Sequence, residues 1–182
     1  MNINNTINCI LNLYNTYGNE HYFGECVSKK EHMIQAAVSA QQHNETNEVI
    51  LACLLHDIGH LLGKDDMNGL GVCDHGKVGR LYLEQINMDK KVCKLVENHV
   101  NAKKYLVSTD TTYYNKLSEA SKQTLEYQGG KMTPEEITIF QNDPDFISMI
   151  AVRFHDDNGK NFNISNLPSI EDFIPLLKKY LL

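Results

Sequence analysis

The most apolar stretch of the chain, residues 46–62, carries a histidine and an aspartate side by side at positions 56 and 57. Its apolar residues predict one central, buried helix that is capped by Thr46 and runs to Leu62. Burying His56 and Asp57 in such a helix is costly unless each side chain has a partner. A metal ion suits both, and hydrogen bonds within the core are the alternative. Since adjacent side chains on a helix diverge by about 100°, further metal ligands must come from other helices.

Helical spacing of apolar residues continues through the rest of the chain, with no alternating strand pattern, fixed repeat or low-complexity linker. The sequence therefore predicts an all-α fold in which residues 1–182 form a single domain. The first helix is predicted to end at Gly18, and residues 100–130 are predicted to form a loop-rich lid with a short helix near 117–126. Starts of the other helices are predicted at Ser28, Thr46, Asp74, Asp89, Thr133, Asp143 and Ser169.

The charge of the chain restricts what it can bind. Its 182 residues include 23 acidic and 17 basic ones, and the formal net charge of -6 disfavours nucleic acid and anionic membrane surfaces as partners. Five cysteines without a Cys-x-x-Cys pair favour a reducing compartment, and they are interpreted as small core residues. With neither a signal peptide nor an apolar run of about 18 residues, the chain is predicted to be cytoplasmic and not membrane-spanning.

Two further candidate ligands for the first ion lie on other predicted helices. His32 lies upstream of the His-Asp pair, and Asp156 lies downstream of it. This order of His, His-Asp and Asp resembles the HD-domain superfamily, whose members bind one or two divalent metals in a helical bundle. The resemblance implies an HD-domain helical bundle with a di-metal site at its centre.

A second ion is predicted next to the first. His75 and His99 are each predicted near the end of a helix that faces the central one, and Asp57 has two oxygens that could bridge the ions. A purely structural role for either histidine is the alternative. The ligands are mainly imidazoles, which suit iron, manganese or zinc better than magnesium.

Six segments carry a closer resemblance. In order along the chain they look like the PhnZ-type HD-domain di-iron oxygenases, over about residues 20–160. The most specific of them are LEYQGG, after the fifth histidine of the match, and the Tyr-x-x-Glu that precedes the first. The segments are HYFGE at 21–25, EHMIQAA at 31–37, LLHDIGH at 54–60, DHGKVG at 74–79, HVNAKKYLVS at 99–108 and LSEASKQTLEYQGGKM at 117–132.

This second resemblance implies an activity. Members of the family use a mixed-valent Fe(II)/Fe(III) pair and dioxygen as co-substrate to cleave the carbon–phosphorus bond of a 1-hydroxyphosphonate. The substrate expected here is the small organophosphonate (R)-2-amino-1-hydroxyethylphosphonate, which would yield glycine and inorganic phosphate. A trimethylated ammonium analogue and an amine-free hydroxyphosphonate are the alternatives.

The resemblance also implies roles for individual residues. Tyr22 matches a tyrosine that occupies an iron position until substrate displaces it, and Glu25 matches the carboxylate that receives the substrate's amino group. Lys103 and Arg153 match cationic contacts to the phosphonate. Further hydrogen bonds to the substrate are expected from His60, Ser121, Thr124 and Gln128. The alternatives to these roles are a half-buried aromatic at 22, a solvated glutamate at 25 and a surface lysine at 103. No ligand position of the family matches His21, His43 or His155.

Two other functions are compatible with the same ligands. A metal-dependent HD phosphohydrolase would use the ions to activate water against a nucleotide or phosphate ester. A noncatalytic binding module would use them for stability alone. Oxygen consumption distinguishes an oxygenase from the phosphohydrolase. Turnover distinguishes an oxygenase from the binding module.

Overall fold

The computed structural model describes residues 2–22, 24–161 and 166–182. These residues form helices and turns without a strand, which confirms the predicted all-α fold. None of these helices is both long and apolar enough to cross a membrane. The helices are α1 (Ile3–Tyr17), α2 (Lys29–Gln42), α3 (Asn47–Leu55), α4 (Gly59–Leu62), α5 (His75–Gln85), α6 (Lys90–Thr109), α7 (Tyr113–Lys116), α8 (Glu119–Tyr127), α9 (Pro134–Gln141), α10 (Phe146–Asn158) and α11 (Ile174–Tyr180), with a 3₁₀ turn (Ile170–Phe173) before α11.

Helix α3 lies at the centre of the molecule, as its apolar sequence predicts. Every residue from Val49 to Leu55 is buried, because α2, α6 and α10 pack around it. The main core cluster contains residues from α1 through to α11. The assignment of residues 1–182 to a single domain stays a prediction.

Most of the predicted helix starts are confirmed by side-chain caps. Ser28 and Thr133 form capping boxes with the glutamates three residues later, and Thr46 caps α3. Helix α10, however, begins at Phe146 with Asp145 at the N-cap position, two residues beyond the predicted cap at Asp143. The Asp143 carboxylate accepts a hydrogen bond from the Asp145 N–H at 2.8 Å, so the aspartate closes a turn before the helix.

The prediction of one helix over residues 46–62 is wrong, because the helix is interrupted at the His-Asp pair. The backbone keeps right-handed angles at His56, but the hydrogen bonds shorten to three-residue spacing, as in Ile58 N–H to the Leu55 carbonyl at 3.0 Å. At the same point the His56 ring donates from Nδ1 to the Cys53 carbonyl at 2.8 Å. The tighter turn brings His56 and Asp57 to one side, with Nε2 and Oδ2 3.4 Å apart.

The prediction of a loop-rich lid over residues 100–130 is also wrong. Helix α6 continues to Thr109, so His99 lies inside this helix and not at its end. The buried face of α6 continues through Ala102, Lys103 and Val107, and the lysine makes that face look polar in the sequence. The segment then forms α7 and α8. Helix α8 confirms the short helix predicted near 117–126 and is followed by two glycines with positive φ, Gly129 and Gly130.

The cysteines are only partly core residues. Cys53 and Cys93 are buried as predicted, whereas Cys9 and Cys26 are exposed and Cys73 is half-buried. Cys9 faces solvent because it lies on the outer side of α1, away from the buried Ile7 and Ile10. The interpretation of all five cysteines as core residues is therefore wrong.

Gly59 lies where the backbones of α4 and α5 approach each other closely. A Cβ at this position would lie 2.0 Å from the carbonyl oxygen of His75. We expect Gly59→Ala to lower the free energy of unfolding by about 2–3 kcal/mol, because α5 would have to move away. Chemical denaturation measures this change, with Asn12→Ala on the exposed face of α1 as the control. Equal losses in the two variants would contradict the close approach.

Candidate metal centre and substrate cavity

Four buried histidines have the same ring orientation. His32 lies on α2, His56 directly follows α3, His75 begins α5 and His99 lies inside α6. Each ring directs Nδ1 at a backbone carbonyl, and a carbonyl oxygen only accepts. Each neutral ring therefore carries its proton on Nδ1 and presents a lone pair at Nε2. The carbonyl partners are Gly159 at 3.0 Å for His32, Cys53 at 2.8 Å for His56, Val72 at 2.9 Å for His75 and Val96 at 2.6 Å for His99.

The Nε2 atoms meet in two pairs. They are 3.0 Å apart between His32 and His56, and 2.9 Å apart between His75 and His99. Two lone pairs at this distance need a cation or an added proton between them. Nearby, Asp57 Oδ2 and Asp156 Oδ1 are buried without a hydrogen-bond partner in the described part of the chain. These imidazole nitrogens and carboxylate oxygens are all suited to bind metal ions, which would satisfy their lone pairs.

The acceptors form two ligand sets that share Asp57. In the first set, the Nε2 atom of His32 lies 3.2 Å from Asp156 Oδ1 and 3.5 Å from Asp57 Oδ2, and His56 Nε2 completes the set. In the second set, the other oxygen of Asp57 lies 3.3 Å from His75 Nε2 and 3.5 Å from His99 Nε2. Ligand atoms about 2.1 Å from one ion lie about 3–3.5 Å from one another. Each set could therefore hold one ion, with Asp57 between them.

The aspartates keep their negative charge at this centre. Burial raises the pKa of both Asp57 and Asp156. Neighbouring positive groups outweigh this effect and hold both pKa values well below the usual range. These groups are His56 for both aspartates and also the Arg153 guanidinium for Asp156. Burial also lowers the pKa of His56, yet the two carboxylates raise it overall to about 10. The centre thus attracts positive charge, from a proton or from metal ions.

His60 supports the second ligand set. Its ring stacks on His75 with centroids 4.0 Å apart, and its Nδ1 accepts a hydrogen bond from the Val72 N–H at 3.0 Å. Its Nε2 lies 3.9 Å from Asp57 Oδ1. Burial lowers the pKa of His60 to about 4, so its ring is neutral near pH 7.

Arg153 is bonded to protein carboxylates. Its guanidinium donates to Asp156 Oδ2 at 2.7 Å and to Asp157, and its Nε donates to the Tyr113 hydroxyl at 2.8 Å. Arg153 therefore orients a candidate metal ligand, while its predicted contact with a phosphonate stays a prediction. The four-residue spacing to Asp157 on one helix is a sequence signal for part of this network, but Tyr113 comes from a distant helix and has none.

A narrow cavity with a free volume of about 30 Å³ adjoins both ligand sets. All the residues predicted to contact substrate line it, together with Tyr22. The amide of Gln128 is buried with neither its oxygen nor its nitrogen hydrogen-bonded to a described residue, so it can bond to a ligand. The lining residues that were predicted to contact substrate are Glu25, His60, Lys103, Ser121, Thr124, Gln128 and Arg153. The lining residues that sequence reasoning missed are Leu70, Val100, Ala120 and Lys160.

Tyr22 and Glu25 reach the cavity from a tight turn between α1 and α2. The Glu25 N–H donates to the Tyr22 carbonyl and the Tyr22 N–H donates to the Val27 carbonyl, both at 2.9 Å, and Gly24 adopts a φ of 70°. The Tyr22 ring stacks on His32 with centroids 4.1 Å apart. Burial, and next the Asp57 charge, raise the pKa of its phenol well above the usual value. Phe23 of the HYFGE segment lies outside the described residues.

Lys103 is buried one turn after His99 on α6. Its Nζ donates to the neutral hydroxyl of Thr124 at 3.0 Å. Burial, and next the Arg153 charge, lower the pKa of Lys103 to about 7. A buried ammonium with a neutral partner is suited to bind an anion.

Residues 30–143 match the family model of the HD domain. The chain belongs to the HD-domain family. A 1-hydroxy-2-(trimethylamino)ethylphosphonate dioxygenase of Leisingera caerulea, named as glycine-betaine-forming, is 36% identical over 182 residues, covering 98% of this chain and 92% of its own. A hydroxymethylphosphonate dioxygenase of Gimesia maris is 36% identical over 158 residues, covering 85% and 78%. An uncharacterized protein of Acanthamoeba polyphaga mimivirus is 41% identical over 179 residues, covering 96% and 81%.

The remaining histidines of this HD-domain protein lie outside the two ligand sets. His155 is buried next to Asp156 on α10 but points in a different direction, where its Nδ1 lies 2.9 Å from the Ser39 hydroxyl. His43 is exposed and bonds the Ser39 carbonyl at 2.8 Å, and His21 is exposed before the Tyr22 turn.

The pKa of Lys103 predicts a pH dependence for anion binding by this HD-domain protein. The ammonium is present below about pH 7 and is lost as the pH rises through this value. We expect kcat/KM for an anionic substrate to fall about tenfold per pH unit above that point, because kcat/KM reports the free enzyme. Lys103→Arg stays charged, so its profile for the same substrate should lack this alkaline limb. Superimposable profiles of the two proteins would contradict the assignment.

Proposed function

We propose that this HD-domain protein is an oxygenase that uses dioxygen and two iron ions, Fe(II) and Fe(III), to cleave the carbon–phosphorus bond of a 1-hydroxyphosphonate. The observation that carries the proposal is the pair of ligand sets sharing Asp57 beside a cavity with a buried lysine. Two relatives of nearly the same length that are named as phosphonate dioxygenases support it.

The proposed ligands for the ions are imidazole-rich. Four neutral Nε2 donors and two carboxylates suit iron better than the oxygen-preferring magnesium. Bound there, iron supplies the electron transfer to dioxygen that side chains cannot supply. The proposed ligands are His32, His56 and Asp156 for one ion, His75 and His99 for the other, and Asp57 for both.

The phosphonate group is proposed to bind at Lys103. The ammonium of this lysine is held by Thr124 and points into the cavity, so a phosphonate oxygen could replace the weaker neutral partner. The unsatisfied amide of Gln128 would donate to a second oxygen. Leu70 and Ala120 add apolar groups to the lining of the cavity.

Tyr22 is proposed to move when substrate binds. Its phenol carries a proton, because burial and the Asp57 charge raise its pKa. It is attached through a turn in which Gly24 takes an angle that favours glycine, and its ring is held by stacking on His32. Displacement of this ring would open space beside the first ligand set for the substrate hydroxyl.

The overall reaction balances without a reductant. The carbon–phosphorus bond breaks, C1 is oxidised to a carboxylate, and the carboxylate and the phosphate each gain one oxygen atom. Dioxygen takes all four electrons from the substrate. From (R)-2-amino-1-hydroxyethylphosphonate the products would be glycine and inorganic phosphate.

Oxygen dependence tests the proposal. Iron-loaded protein should consume one dioxygen for each phosphate that it releases from a 1-hydroxyphosphonate, and anaerobic protein should release none. Protein loaded with zinc or manganese is the control and should be inactive. Phosphate release that continues undiminished without oxygen would contradict the proposal and indicate a phosphohydrolase.

A further inference from the structure

Lys160 is held at the wall of the cavity by the residues on either side of it. Gly159 accepts a hydrogen bond from His32 Nδ1 at 3.0 Å, and a Cβ on this glycine would lie 2.8 Å from the His32 carbonyl oxygen. On the other side, the backbone N–H and carbonyl of Asn161 bond the Gln35 amide, both at 2.9 Å. Both neighbours are thus fixed to α2, and this fixes the position from which Lys160 enters the cavity.

The Lys160 ammonium lies against the carboxylate that was predicted to receive a substrate amine. Its Nζ is 3.2 Å from Glu25 Oε1, and both side chains are only 14% exposed. Nζ also donates to the Ser121 hydroxyl at 3.0 Å and lies 5.8 Å from the centre of the Tyr22 ring. The charge of Glu25 is therefore already balanced within the chain.

Glu25 still has an unused hydrogen-bonding site. Its Oε1 is buried and accepts no well-oriented hydrogen bond from a described residue, although the Lys160 Nζ lies 3.2 Å away. A neutral donor could occupy this oxygen without electrostatic cost. A second ammonium there would lie within a few ångströms of Nζ, where like charges in a partly buried site repel strongly.

We propose that Lys160 is a specificity-determining residue that balances Glu25 and selects hydroxyphosphonates whose second carbon bears no cation. This inference rests on the proposed function and differs from the amine-bearing substrate that the resemblance, including the match at Glu25, implies. The uncharged class includes compounds with hydrogen, a methyl group or a neutral hydroxyl in place of the amine.

Two substrates of nearly equal size test the proposal. One is 2-amino-1-hydroxyethylphosphonate, and the other is 1-hydroxypropylphosphonate, in which a methyl group replaces the ammonium. With iron-loaded protein in air, we expect kcat/KM to favour the uncharged compound by about tenfold or more, as one unfavourable charge contact implies. Lys160→Met should shift the ratio toward the amine by about tenfold or more, and Lys160→Arg should preserve it.

The controls separate this proposal from the proposed function. Lys116→Met, at an exposed position, should leave the ratio unchanged. Calorimetry on anaerobic iron-loaded protein measures the binding preference without turnover. Oxygen uptake with neither compound would contradict the proposed function, while the binding ratio would still test Lys160. A wild-type preference for the amine, or the same ratio in Lys160→Met as in the wild type, would overturn the role of Lys160.

Discussion

Asp57→Asn is expected to remove one of two bound metal ions and to abolish turnover. Both carboxylate oxygens of Asp57 are used, one by each ligand set. An amide offers one oxygen ligand and an NH₂ group that repels a cation, so it cannot serve both ions. We expect at least about a hundredfold weaker binding of one ion, since losing even a supporting contact weakens metal sites by about 10–100-fold. Metal analysis after dialysis measures the stoichiometry.

The control for this variant is Glu135→Gln, which makes the same chemical change at an exposed position of α9. It should keep two ions and full activity. The shared-ligand arrangement would be wrong if Asp57→Asn still bound two ions with wild-type affinity.

Lys103→Met is expected to separate substrate binding from stability. Methionine fills a similar volume without a charge, so relief of the buried ammonium should leave Tm equal to or above that of the wild type. Loss of the charge-assisted hydrogen bond should raise KM for the phosphonate about a hundredfold, with the metal content unchanged. Steady-state oxygen uptake and thermal unfolding measure the two effects.

Lys104→Met is the matched control for Lys103→Met. Lys104 is the next residue on α6 but does not line the cavity. Its replacement should leave KM within about twofold of the wild type. If the Lys103 and Lys104 variants had the same KM, the phosphonate would have to bind elsewhere.

The candidate ligands could be predicted from the sequence because few residue types bind metals and few such residues occur in apolar helices. The buried pair His56 and Asp57 was conspicuous for this reason. The course of the backbone was harder to predict. Lys103 interrupts the apolar pattern of α6, and its ammonium bonds to Thr124 of a different helix.

Contacts between distant residues account for what the sequence missed. Lys160 lies in a polar segment after α10, and nothing in that segment indicates that its ammonium reaches Glu25. Tyr113 likewise reaches Arg153 from α7. Such pairs depend on how helices pack, which helical periodicity alone does not specify.

The orientation of the four ligand histidines determines which nearby positions can be substituted as the sequence evolves. Every Nδ1 anchor is a main-chain oxygen, supplied by Gly159, Cys53, Val72 and Val96. At Cys53, Val72 and Val96 the side chain can therefore change without rotating the imidazole, whereas at Gly159 a Cβ would lie 2.8 Å from the His32 carbonyl oxygen. We therefore expect substitutions at cavity positions such as Lys160 to alter substrate preference without disturbing the orientation of the four imidazoles.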